Sequence, residues 1–266
     1  MTWCAAPSGL TLPVDHIDIW RVCLDHGDQS EQDLCGILTP DEVTRASCFH
    51  FEVDRRRYIR GRAMLRMLLG RYLETPPAEL RFQYENHGKP EIALPHACHD
   101  LRFNLSDSAG LALIAVGSGS ALGVDIERVR PVPDFLGIAT RFFSAREVQA
   151  LLALSENKRQ EAFFACWTRK EAYLKAIGTG LMHPLSDFSV AVDPDEEAEL
   201  CEVKGNGDIA SHWFLTDVLP GEGFRGALAC EGGRRRIAQW IFAPSCACHL
   251  NYPSAWTAAC SAALVV

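Results

Sequence analysis

The sequence lacks any uninterrupted run of about 18 apolar residues, the length a helix needs to cross a bilayer, so no spanning segment is expected. Also lacking is a basic stretch followed by an apolar one within Met1–Leu10; no secretory signal is expected, and a cytoplasmic location is. There is no CxxC pair. The 11 cysteines are odd in number and scattered from Cys4 to Cys260, and the spacing of Cys246 and Cys248 does not suit a zinc knuckle. Thiols in a reducing compartment are therefore expected, rather than disulfides or a zinc site. Nor is there an excess of positive charge: 26 Lys and Arg against 34 Asp and Glu leave a net charge of −8. A global attraction to nucleic acid is excluded, although Arg55, Arg56, Arg57, Arg60, Arg62 and Arg66 crowd one segment that could form a local anion site.

What is present is enough apolar material, 48% of 266 residues with 23% charged, for one large core or two small ones. Two stretches read alike. Thr39 with Glu42, and Ser144 with Glu147, each form a capping box at a helix start, and each is followed by a longer amphipathic segment, one through Tyr58–Arg66 and one through Ala162–Lys170. Strand-like material follows each long helix. It comprises Arg81–Tyr84, Leu101–Asn104, Gly110–Val116 and Leu122–Ile126 in the first instance, the last two expected to pair as a hairpin through Gly117–Ser120. In the second it comprises Phe188–Val192, His212–Val218 and Gly226–Cys230, with Arg236–Phe242 closing that sheet. The expectation is an α+β pseudo-dimer: residues 1–121 and 122–243 as two similar halves, each a long helix on a small antiparallel sheet, followed by a tail 244–266 of no assigned role. Since the second half supplies what a partner subunit would, a monomer is expected.

Three segments could carry chemistry. In Leu122-Gly-Val-Asp-Ile-Glu-Arg128, strand alternation sends Asp125 and Glu127 to one face and Val124 and Ile126 to the other. Two carboxylates so placed can hold a hard cation such as magnesium, but can equally be a solvated strand face. On the helix around Phe163–Ile177, Trp167, Glu171 and Lys175 fall on one stripe, next to Lys170 and ending at Gly178-Thr-Gly180. A plain Glu-to-Lys pair would produce the same pattern. Asn86-His-Gly-Lys-Pro90 precedes Phe103-Asn-Leu-Ser-Asp-Ser-Ala-Gly110, and both combine glycine, basic and small hydroxyl residues as phosphate-binding loops do, though either alone is a polar turn.

Taken together, Gly123-Val-Asp-Ile-Glu127, Trp167-Thr-Arg-Lys-Glu-Ala172 with Lys175, Gly88-Lys-Pro90 and Phe103-Asn-Leu-Ser106 resemble, in order and spacing, the Sfp-type (surfactin-synthetase-activating) 4′-phosphopantetheinyl transferases. The likeness runs from about Leu38 to Val192 and includes Gly180–Leu185. It implies a pseudo-dimer with coenzyme A between the halves, and a reaction in which the phosphopantetheine arm moves to a serine of an acyl or peptidyl carrier protein, releasing 3′,5′-ADP.

Carried over position by position, the resemblance makes Asp125, Glu127 and Glu171 ligands of Mg2+, for which Mn2+ could substitute. Lys170 and Lys175 would face the pyrophosphate, while Arg57, Lys89, Pro90 and the stretch Asn104, Leu105, Ser106, Asp107 would receive the nucleotide; Asp125 and Glu171 would also contact coenzyme A. Glu171, or a metal-bound water it orients, would be the base, and Lys175 would stabilise or protonate the leaving phosphate. Asp107 departs from the pattern, because many members have a histidine there, beside the 3′-phosphate. An acid next to a phosphate is unfavourable unless a cation intervenes. A docking patch for the acidic carrier is expected around Arg141–Glu147, with Phe142, Phe143 and Trp167 as candidates. No nucleic-acid or membrane partner is expected. Two rivals share parts of this pattern: a magnesium-dependent nucleotide pyrophosphate hydrolase and a carrier-binding module without catalysis.

Overall fold

The computed structural model describes residues 2–7, 9–11, 16–84, 88–93 and 100–242; the tail from Pro244 onward, and Asn86 and His87, lie outside the described residues. In chain order the strands and helices are β1 (Cys4–Ala5), β2 (His16–Cys23), α1 (Glu31–Cys35), α2 (Pro40–Ser47), α3 (Glu52–Tyr72), β3 (Phe82–Tyr84), β4 (Pro90–Ile92), β5 (Leu101–Ser108), β6 (Leu111–Ser118) and β7 (Leu122–Arg128). There follow α4 (Phe135–Phe142), α5 (Ala145–Ala153), α6 (Glu156–Ile177), β8 (Phe188–Val190), β9 (Leu200–Val203), α7 (Gly207–Ala210), β10 (Trp213–Val218), β11 (Phe224–Glu231) and β12 (Arg236–Phe242).

Two sheets carry the architecture, one in the order β1-β12-β2-β6-β5 and one in the order β10-β11-β7. Alternation along each strand decides which core each side chain joins. Ile17, Ile19, Leu113 and Ala115 of the larger sheet meet Leu122, Val124, Ile126 and Leu228 of the smaller in a dry layer between the two. The opposite set on the larger sheet, Trp20, Val22, Ile114 and Val116, packs under α3 with Met64, Leu65 and Leu68. On the smaller sheet, Ala227 and Ala229 pack with Phe163, Phe164 and Leu174 of α6. The result is four layers, helix on sheet on sheet on helix, with the α+β character the sequence implied.

The two capping boxes form as read, since the Thr39 and Ser144 backbone N–H groups donate to Glu42 and Glu147 at 3.0 and 2.8 Å. Each glutamate is buried and also accepts from a buried cation on the following long helix, Glu42 from Arg66 Nε at 2.7 Å and Glu147 from Lys170 Nζ at 2.6 Å. A charge cannot be buried without such a partner, so each box pins a short helix to its long one in the same way.

Two expectations about the sheets are corrected. β6 and β7 are not a hairpin: β6 pairs with β5 and β2, and β7 pairs with β11, so the Gly117–Ser120 turn carries the chain from one sheet to the other. Residues 236–242 do not close the second sheet either, because β12 lies parallel to β2 from Arg236–His16 to Phe242–Val22. Its alternation explains the choice: Phe242 joins the core under α3, and Trp240 packs against it, its Nε1 donating to the buried Asp18 at 2.8 Å.

Candidate functional site

The candidate site lies at the seam where β5, the edge of one sheet, runs beside β7, the edge of the other. No backbone ladder joins them. Edge strands leave N–H groups unpaired, and here side chains of β5 meet the need. The buried Asn104 Oδ1 accepts from Val124 N–H at 2.9 Å, Ser106 Oγ donates to Asp125 Oδ1 at 2.8 Å, and Ser108 Oγ donates to Glu127 Oε2 at 2.9 Å. Asp125 and Glu127 share the face of β7 that turns toward α6, while Val124 and Ile126 enter the inter-sheet core.

Helix α6 can approach this face closely because of Gly123. A Cβ there would stand 2.2 Å from Ala172 O and 2.3 Å from Ala176 N, so a side chain would force the helix away. The close approach brings Lys175 onto the carboxylates: its Nζ donates to Asp125 Oδ1 at 2.6 Å and to Ser106 Oγ at 2.7 Å. Glu171, one turn earlier, is within electrostatic reach of both Asp125 and Glu127.

Burial pushes the carboxyls of Asp125, Glu127 and Glu171 above the ordinary carboxylate range. Repulsion from Asp125 adds to the rise at Glu127 and Glu171, and Lys175 offsets part of it at all three. A cluster whose members repel one another, with one oxygen neutralised by an ammonium, is short of positive charge. Among the described residues no three His, Cys, Asp or Glu side chains stand at metal-holding distance as they are. The donors nonetheless suit a hard cation: all are carboxylate oxygens, and Asp125 Oδ2 is buried without a hydrogen-bond partner.

The remaining sequence candidates divide. Asp107 is exposed at the end of β5, and burial of its surroundings raises its carboxyl, against the pull of Lys175 and Arg57. Arg57 stands beside it, but its guanidinium is held in a two-pronged pair with Asp25, at 2.7 and 2.9 Å. Asp25 in turn sits against Gly110, whose φ of +83° and lack of a Cβ leave the room it fills. Lys89 Nζ donates to Leu122 O and Ala176 O at 3.1 and 2.9 Å, joining the start of β7 to the end of α6. Next to it a groove of about 470 Å³ is lined by Lys89, Pro90, Phe103, Ala176, Ile177 and Trp213. Leu105 is partly buried against the core under α3, so its side chain serves packing.

Lys170 requires a correction. It is fully buried, donates to Glu147 Oε1 at 2.6 Å and to Phe188 O at 2.7 Å, and faces the far side of α6 from Asp125, so it cannot meet a phosphate at the seam. Its neighbour Arg169 is just as buried, paired with Asp217 at 2.8 and 2.6 Å and with the carbonyls of Ala191 and Asp193. Phe143 is corrected too: only 4% exposed, it stacks on Phe163 with centroids 5.5 Å apart, and belongs to the core rather than to a docking patch. Trp167 packs against the same two rings, while Phe142 is 40% exposed with Arg141 over its face. Ser108 is the contact that sequence reasoning missed. The alternation Asn104, Ser106, Ser108 along one strand face was the available signal.

Comparison with known proteins gives a consistent result. A model of the 4′-phosphopantetheinyl transferase superfamily matches residues 121–229, and one of the 4′-phosphopantetheinyl transferase N-terminal region matches residues 28–118. The 4′-phosphopantetheinyl transferase HetI of Nostoc is 40% identical over 231 residues, 87% of this chain and 94% of that protein. The 4′-phosphopantetheinyl transferase Sfp of Bacillus subtilis is 30% identical over 185 residues, 68% of this chain and 80% of its own length. Among solved structures, the holo-[acyl-carrier-protein] synthase of Thermotoga maritima aligns with a TM-score of 0.34 and 27% identity over 43% of this chain and 64% of that one.

Proposed function

Since the chain belongs to the 4′-phosphopantetheinyl transferase superfamily, we propose that it moves the phosphopantetheine arm of coenzyme A to a carrier-protein serine with the help of a magnesium ion at the seam. The observation that carries the magnesium reading is the meeting of Asp125, Glu127 and Glu171 with Lys175 where α6 packs on the seam of β5 and β7, and where one buried Asp125 oxygen lacks a partner. Asp125, Glu127 and Glu171 would hold the cation, and when bound it would neutralise charge on the pyrophosphate oxygens.

The serine Oγ attacks the β-phosphorus of coenzyme A, a new P–O bond forms, and the bond to the bridging oxygen breaks so that 3′,5′-ADP leaves. Glu171, or a water that it orients, would take the serine proton. Lys175 Nζ, already at the carboxylates, meets the negative charge that builds on the leaving phosphate. Lys89 and Pro90, which line the groove beside Ala176, and Arg57, Asn104, Ser106 and Asp107 would receive the nucleotide. Charge complementarity with an acidic carrier favours docking at Arg141 and Phe142. Both halves of the seam come from one chain, which supports a monomer. Among the described residues no helix is long and apolar enough to cross a membrane, which is compatible with action in the cytoplasm.

The test is incubation with coenzyme A, magnesium and an apo carrier protein, followed by the intact mass of the carrier. A gain of one phosphopantetheine, abolished by Asp125→Ala and by chelation, is expected. Release of nucleotide without carrier modification would instead identify a hydrolase, and neither product a binding module.

A further inference from the structure

Between β5 and β7 the usual backbone ladder is replaced by three small polar side chains on one strand face. Asn104 serves the backbone of β7 and Ser106 serves Asp125; Ser108 serves Glu127. Its Oγ donates to Glu127 Oε2 at 2.9 Å and accepts from Arg128 N–H at 3.2 Å. A serine hydroxyl has one proton and two lone pairs, so these two bonds leave little freedom to its rotor. The N–H of Arg128 is fixed by strand β7, and it therefore sets where the hydroxyl proton points.

Glu127 needs such a guide. It is half-buried on a flexible side chain, Asp125 two residues earlier repels it, and both Lys175 at the seam and Arg130 attract it. Without the hydroxyl, other rotamers that turn the carboxylate toward Arg130 and solvent become available. We propose that Ser108 is a positioning residue, which aims the Glu127 carboxylate at the cation site beside Asp125; this rests on the reading of Glu127 as a ligand of the metal. Groups that hydrogen-bond ligating carboxylates commonly alter metal affinity by about 10- to 100-fold when removed.

The experiment is a titration of the full chain with Mn2+ alone, following the free ion by electron paramagnetic resonance, for the parent, Ser108→Ala, Ser108→Thr, Glu127→Ala and the double variant Ser108→Ala/Glu127→Ala. Ser108→Ala is expected to weaken Mn2+ binding by about 10-fold or more. Ser108→Thr, which keeps the hydroxyl, should bind like the parent, and Ser108→Ala should have no further effect once Glu127 is gone. An unchanged Mn2+ affinity in Glu127→Ala would remove the ligand reading itself. Weaker binding in Glu127→Ala together with parental binding in Ser108→Ala would overturn the positioning role alone. So would a Ser108→Ala effect that persists in full in the double variant. Should Ser108→Ala not fold, Ser108→Cys replaces it, and parental affinity in that variant counts against the proposal.

Discussion

Replacing Lys170 by Met separates a structural from a chemical role, because the structure makes this lysine a buried counter-ion rather than a phosphate ligand. Neither Lys170 nor Glu147 has any side-chain exposure, and their N···O distance is 2.6 Å. Deleting one member of a buried pair typically costs about 3–5 kcal/mol, since the survivor is left charged in a poor solvent. Glu147 would still accept from the N–H groups of Ser144 and Val190, which places the loss near the lower end, about 3 kcal/mol. At about 2–4 °C per kcal/mol for a protein of this size, the midpoint should fall by roughly 6–12 °C. Thermal unfolding followed by circular dichroism measures this. Phosphopantetheine transfer, measured well below the variant's midpoint and normalised to folded protein, should keep its kcat. Adding Glu147→Gln should return part of the stability, because the stranded charge is then gone. An unchanged midpoint with kcat reduced by a hundredfold would refute the reasoning and return Lys170 to the pyrophosphate.

Lys175→Met, which keeps the apolar stem and deletes the ammonium, should lower kcat by about a hundredfold or more while changing KM for coenzyme A little; a variant that only loosens coenzyme A would make Lys175 a binding residue. Asp107→His should lower KM for coenzyme A, and the gain should shrink with dephospho-coenzyme A; equal effects on both would show that position 107 does not sense the 3′-phosphate. Burial alone would raise the Glu42 carboxyl, but the hydrogen bond from Arg66 and the charge of Arg62 hold it below the ordinary range. A depressed carboxyl stabilises above its unfolded value, about 4.3, and that stability is lost as pH falls through the folded value. Glu42→Gln should therefore cost most at pH 7, with the gap to the parent in urea unfolding narrowing below about pH 4; a gap independent of pH would exclude the linkage.

Much of this molecule could be read from local pattern, since the forces involved act over a few residues. The boxes at Thr39 and Ser144 need only a hydroxyl and a glutamate three positions apart. The shared face of Asp125 and Glu127 needs only strand alternation, and the alignment of Glu171 with Lys175 only a helical turn. Where the reading failed, the deciding partner lay far along the chain. Lys170 and Lys175 are both lysines on one helix, and only the positions of Glu147 and Asp125 determine which is entombed and which reaches the seam. Helix α6 is covered on most sides, so an apolar stripe gives no guide to its outward face. The role of Ser108 depends on β5 meeting β7 without a ladder, which follows from sheet assembly. Phe143 and Phe142 are adjacent and chemically alike, and a half-turn of helix end buries one of them against Phe163.

The pairing of β12 with β2 has a consequence for how the molecule comes into being. Ile17 and Ile237 are partners, so one strand at the middle of the larger sheet waits for a neighbour that the ribosome makes only after β3 to β11 have all emerged. Closing so long a loop is slow, and until it closes β2 presents a bare edge on which other chains could add. A protein whose sequence reads as two tandem units thus cannot be completed one unit at a time. Ribosome-bound intermediates should show the three-stranded sheet and α6 protected from proteolysis before the sheet under α3, the reverse of their order of synthesis, and fragments ending after β7 should depend on chaperones or aggregate.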